Sequence, residues 1–226
     1  MSAGHDHPHT FDGMSDDYKR RLMLVTAINI GMFFVEMTAG ALAGSQALKA
    51  DALDFFADGI TYALSFWAIG RPPRVRTGAA VLKGLSLLGM GLWVAFTTLY
   101  QFFLHGVPIP EVMGGVGFAA LAANLFSVYL LMAYKDGDAN IRSVWLCSRN
   151  DAIGNVAVML AAGLVALIHN GVPDLVVAGV MAALFLSSAY QILAHSLREW
   201  REAGMHAGPG GHDHPHGGHA HEEGRH

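Results

Sequence analysis

Charge is scarce in this 226-residue chain: Asp, Glu, Lys and Arg together make up 14%, where soluble domains carry about 25%. Apolar residues reach 53%, more than one soluble core can bury, which excludes an ordinary soluble domain and points to a membrane protein. Basic residues are not in excess either. A net charge of -4 offers a polyanion no positive field, so nucleic acid is excluded as a partner. Cysteine is limited to Cys147, which rules out an internal disulfide framework. A secretory signal is also lacking. His5, Asp6, His7 and Asp12 precede the first apolar run, and that run is too long for a signal's apolar core.

The apolar residues fall into six stretches, near 22–45, 47–70, 78–104, 110–134, 142–169 and 172–196. Each reaches the roughly 20 residues that a helix needs to cross a bilayer. The breaks carry turn chemistry: Gly44-Ser45, Arg71-Pro72-Pro73-Arg74, Gly106-Val107-Pro108, Lys135-Asp136-Gly137-Asp138 and Asn170-Gly171-Val172-Pro173. The first break is the weakest, but without it the first two stretches would make one run far thicker than a bilayer. The expected fold is therefore all-α, a polytopic membrane protein of six transmembrane helices over residues 21–198, flanked by tails at 1–20 and 199–226.

Basic residues orient these spans. Lys19, Arg20 and Arg21 precede span one, Arg71, Arg74 and Arg76 follow span two, Lys135 and Arg142 follow span four, and Arg198 and Arg201 follow span six. The alternate loops hold only Lys49. Since cytoplasmic loops carry the lysine and arginine excess, both termini are expected in the cytoplasm.

The tails are rich in histidine: ten of the 13 lie there. Gly4-His5-Asp6-His7-Pro8-His9 recurs as Gly211-His212-Asp213-His214-Pro215-His216. Purification tags are usually uninterrupted runs, so this repeat reads instead as a weak metal-collecting device, with neutral imidazole as the ligand.

Within the spans stand residues that hydrocarbon should exclude: Glu36, Asp51, Asp54, Asp58, Lys83, Arg149 and Asp151. An ionised Asp at mid-bilayer costs at least about 2.5–3.5 kcal/mol, which makes such residues functional candidates. Asp54 and Asp58, at i and i+4, leave one helix face a turn apart and need a cation or a shared proton between them. Cys147 and Asp151 repeat that spacing in span five, and Asn155 extends the face by another turn. The two faces together offer three carboxylates and a thiolate, the four ligands of a tetrahedral zinc-type site. The thiolate favours zinc and softer ions over magnesium or calcium. All four groups must shed protons to bind, which couples binding to pH.

Each residue alone reads more plainly. Cys147 could be a small packing residue, Asp54 an interhelical hydrogen-bond partner, and the spaced acids a proton relay. Asp51 is either a further ligand or an interfacial carboxylate open to water. Glu36 and Lys83 are expected to pair across spans one and three, although Lys83 with Asp51 is equally allowed. Gly40 and Gly44 make a small-residue face for close helix packing, and Arg149 reads as a positive-inside anchor.

The run Val35-Glu36-x-x-x-Gly40-x-x-x-Gly44-Ser45-x-Ala47-Leu48-x-Ala50-Asp51-Ala52-Leu53-Asp54-x-x-x-Asp58, with Asp151-Ala152-Ile153-Gly154-Asn155-Val156, resembles the cation diffusion facilitator family of metal–proton antiporters. The resemblance covers residues from about 20 to 198. It implies a six-helix fold with cytoplasmic termini, a transport site between spans two and five, and exchange of metal for protons by alternating access. The expected cargo is Zn2+ and possibly Cd2+, carried across a lipid bilayer expected to be the bacterial inner (plasma) membrane. The chain departs from the family in three places. Cys147 stands where the family usually has His or Asp, and Asp54 where it often has His. Only 28 residues follow span six, too few for the usual folded cytoplasmic domain. A homodimer is expected to form through the transmembrane helices.

Alternatives are a proton-coupled carrier or channel for another substrate, including iron, manganese, cobalt or nickel, and an intramembrane metalloenzyme. The last lacks a free general base beside the site and a His-Glu-x-x-His helix, so no enzymatic activity is expected.

Overall fold

The computed structural model describes residues 16–68, 73–104, 106–132 and 139–206; for some of these, 139–150 among them, the helix alone is described. All regular structure among them is helical: α1 Asp16–Ala43, α2 Gln46–Ala68, α3 Pro73–Leu104, α4 Pro110–Leu131, α5 Ala139–Ile168 and α6 Val172–His206. Every break expected from turn chemistry separates two helices. Several helix ends reach beyond the apolar stretches. α1 starts at Asp16, inside the stretch expected as tail, and α6 runs on to His206. Apolarity marks only the part of a helix that lipid covers, whereas backbone hydrogen bonding continues into the polar boundary. There α1 is supported by Asp16 and Asp17 in its first turn and by the pairs Lys19–Asp16 (3.3 Å) and Arg21–Asp17 (3.0 Å).

Five of the helices are long and apolar enough to cross a membrane, and α2 is not among them. Lys49, Asp51, Asp54 and Asp58 crowd its first half. Its packing shows that it nevertheless runs the length of α1. Gly40 of α1 meets Leu48 and Lys49 near one end, Gly59 of α2 meets Ile30 further along, and Tyr62 packs with Leu22 and Val25 near the other. At about 1.5 Å per residue, its 23 residues span some 34 Å, enough for a bilayer core of about 30 Å. α2 carries charge because α1, α3, α5 and α6 all pack against it. The outward faces of the bundle are apolar instead, with Leu42 79% and Leu167 76% exposed, as suits contact with lipid.

Helices α1, α2, α5 and α4 form a ring in which each packs on the next, and α3 with α6 makes an antiparallel pair set against α2. Two glycines permit that pair's close approach. A Cβ on Gly84 would lie 2.9 Å from the Leu193 side chain, and one on Gly91 would lie 2.9 Å from Leu186.

At the end of the bundle away from the termini, the loops are tied together. Gly44 adopts φ +70° and ends α1, which lets Ser45 N–H donate to Gly40 C=O at 3.0 Å. Ser45 then caps α2, its Oγ accepting from Leu48 N–H at 3.1 Å. Asp174, in the first turn of α6, accepts from Ser45 Oγ (2.5 Å), Gln46 N–H (2.8 Å) and Ala47 N–H (3.0 Å). One carboxylate thus completes the start of α2 from the start of α6. Ile109 N–H adds a bond to Ala43 C=O at 3.0 Å, bringing the α3–α4 loop to the same place.

Candidate metal centre

Asp54 and Asp58 share a face of α2 because four residues make slightly more than one helical turn. That face opens on a cavity of about 650 Å³ between α2, α3, α5 and α6, within the usual range for small-ligand sites. Asp151 enters it from α5 and Lys83 from α3; Leu87, Val177, Met181 and Phe185 make much of the remaining wall. Asp54 and Asp58 each lie within hydrogen-bonding reach of Asp151, and the Lys83 ammonium is near enough to act on both. Tyr62, one turn beyond Asp58, donates its hydroxyl to Asp58 Oδ2. Three carboxylates held this close in an apolar wall cannot all stay ionised without compensation by protons, a fixed cation or a metal.

The structure thus brings together three of the four expected ligands. Among the described residues, no group of three or more His, Cys, Asp or Glu side chains forms a ready coordination sphere. Cys147 lies in α5 one turn before Asp151, on the side of the termini, and its side chain is outside the described residues, as is that of Arg149. His5, His7, His9, His212, His214 and His216 lie outside the described residues altogether.

The other candidates are placed differently. The expected Glu36–Lys83 pair is not formed. Glu36, fully buried, faces Asp51 across the α1–α2 interface, while Lys83 lines the cavity on the far side of α2. Asp51 is not an interfacial carboxylate open to water, for it is only 1% exposed. The close fit of Gly40 against Leu48 and Lys49 draws this part of α2 onto α1 and covers it. Both Glu36 oxygens and Asp51 Oδ2 lack a hydrogen-bond donor among the described residues. Asn155 is buried outside the cavity wall, and neither of its amide atoms has a hydrogen-bond partner among them.

Two residues escaped the sequence reading. Tyr62 follows from the same i, i+4 rule that links Asp54 to Asp58, but a tyrosine in an apolar span reads as packing. Asp174 reads as an ordinary acid at a helix start, and nothing local to it points to Ser45.

The family model for the cation efflux transmembrane domain matches residues 22–199, nearly the whole helical part. The chain belongs to this family. Its relatives include the zinc transporter ZitB of Escherichia coli K12, 26% identical over 88% of this chain and 68% of that protein. A cadmium, cobalt and zinc/H(+)-K(+) antiporter of Bacillus subtilis is 24% identical over 86% of this chain and 65% of its own length. The metal cation efflux system protein CzcD of Cupriavidus metallidurans is 26% identical over 72% and 54%. The chain therefore spans about two thirds or less of the length of these relatives.

Proposed function

We propose that this protein moves a divalent transition metal, zinc or cadmium, out of the cytoplasm in exchange for protons, by alternating access. The observation that carries this reading is the meeting of Asp54, Asp58 and Asp151 in one cavity between α2 and α5. Cys147, a turn before Asp151 on the same helix, is the proposed fourth ligand. The arrangement suits one dication that replaces shared protons, because metal and proton compete for the same oxygens. Protonation from the opposite side then weakens the site and releases the ion. The names of the relatives, which include zinc, cadmium and cobalt carriers, support the class of cargo.

The alternation of basic and neutral loops supports cytoplasmic termini, with the His-rich tails as accessory collectors on that side. The bare apolar outer faces leave room for a homodimer through the helices.

Proteoliposomes with an acidic interior test the reading. Zinc uptake is expected in the wild type and should fall at least about 100-fold in Asp58→Ala and in Asp151→Ala, each of which removes a charged ligand. Wild-type flux in both variants overturns the site. A carrier of organic solutes would instead keep its activity after chelation. The ion is tested by competing zinc against cadmium at equilibrium. If the thiolate is a ligand, Cys147→Asp costs cadmium at least about tenfold more affinity than zinc, because cadmium is the softer ion. Equal losses remove Cys147 from the ligand set.

A further inference from the structure

Lys83 stands in the wall of the ion cavity without being one of the expected ligands. Its root on α3 is fixed by the residue beside it. Gly84 is where α3 comes against Leu193 and Ile192 of α6 with no room for a Cβ. One turn further along, Leu87 is buried in the same cavity wall. This face of α3 is therefore held towards Asp54, Asp58 and Asp151. The Lys83 side chain is half-buried, and its ammonium is near enough to act on Asp54 and Asp58. Among the described residues it nevertheless makes no contact ion pair. It is a charge set into the cavity, not the second half of a structural salt bridge.

Resting on the reading of this cavity as the ion site, we propose that Lys83 serves release: its charge opposes the bound dication and lets the carboxylates give it up. Three carboxylates and a thiolate together carry twice the charge of a dication. A carrier must hold its ion firmly enough to load and loosely enough to unload. Unopposed, these four groups would make a trap. A like charge in the same apolar-walled cavity offsets part of their attraction, and in such surroundings charges act more strongly than in water. Lysine suits the task as a compact charge on a flexible stem, able to lean away as the ion arrives and back as it leaves. The repulsion falls on zinc and cadmium alike. An ammonium has no lone pair for an ion, so Lys83 is a positioning residue and not a ligand.

The test uses the full-length protein in nanodiscs, loaded with zinc and mixed at fixed pH with excess chelator, so that the rate of release is read. In the loaded site the ion has replaced the protons, and its rate of leaving reports the repulsion directly. Lys83→Met keeps most of the stem and removes the charge, whereas Lys83→Arg keeps the charge. Release from Lys83→Met is expected to slow by about tenfold, for zinc and cadmium alike, as for removal of a like charge from a cavity of low dielectric. Slowing by about threefold or more that Lys83→Arg does not share supports the proposal. A smaller change, a faster release, or equal slowing in Lys83→Arg overturns it. Merely structural damage would loosen the site and speed release. Asp58→Ala is titrated with zinc beside these variants. If it binds like the wild type, the cavity is not the ion site and the underlying reading has failed. If it abolishes binding while Lys83→Met releases zinc at the wild-type rate, only the role of Lys83 has failed. Should Lys83→Met not fold, Lys83→Gln is read in the same way. If neither neutral variant folds while Lys83→Arg does, the charge serves the fold and the proposal is overturned.

Discussion

Asp51 and Asp54 are three residues apart on α2 and have opposite surroundings. Asp54 looks with Asp58 into a cavity of about 650 Å³, where Asp151 faces it from α5 and Lys83 stands near as a fixed cation. Asp51 turns to Glu36 at the closed seam between α1 and α2, where three of the pair's four oxygens have no hydrogen-bond donor among the described residues. Both are acid clusters inside a membrane bundle. With the first cluster as the proposed ion site, burial of acids in a span does not by itself make one. Room for an ion and a countercharge from Lys83 set the first cluster apart from the second. In the seam, the two carboxyls can satisfy one another only by sharing a proton, and Gly40 closes the space around them.

Asp174 sharpens the contrast, being a third buried acid whose oxygens all face donors. Its three hydrogen bonds hold the start of α6 on the start of α2, as a capping residue would, but from another helix. Asp174→Ala leaves the Ser45 hydroxyl and two backbone N–H groups buried without an acceptor. The expected cost is about 3 kcal/mol of stability, from the usual price of hydrogen bonds to charged groups. Denaturant unfolding of the micelle-bound protein measures it. A loss below about 1 kcal/mol would mean that water replaces the carboxylate at that end. Such a result would remove Asp174 as the example of a buried acid held purely for structure.

Much of this was legible in the sequence, because a bilayer imposes strict rules. The six helices follow from the lengths of apolar runs and from the turn residues between them. Even the weak break at Gly44-Ser45 is real, since only glycine adopts its left-handed conformation without strain and Ser45 is a strong cap. Asp54 with Asp58, and Cys147 with Asp151, could be read from helical periodicity, which fixes which residues share a face; that the two faces meet was implied by the family resemblance. Periodicity says nothing of rotation between helices. For that reason Lys83 with Glu36 and Lys83 with Asp51 looked alike, whereas the structure sets Glu36 against Asp51 and Lys83 on the cavity. Asp174 with Ser45 was out of reach altogether, as those residues are separated by 129 positions and join only once α6 has packed on α2.

The smallest expected effect is also the most direct check on the comparison between the two clusters. Replacing Glu36 by Gln and Asp51 by Asn together keeps the shape of both side chains and removes their charges. Two facing amides can donate to and accept from each other, so a pair that lacks outside donors becomes self-sufficient. Stability should hold or rise, since changing both partners avoids stranding one buried charge. Zinc affinity should stay within about twofold of the wild type, the range expected for sites that do not interact. Equilibrium zinc titration of the double variant measures this. A loss of tenfold or more would place the seam inside the ion site and erase the distinction. Neutralising only one partner is the less informative experiment, because it leaves the other acid buried and changes stability and binding together.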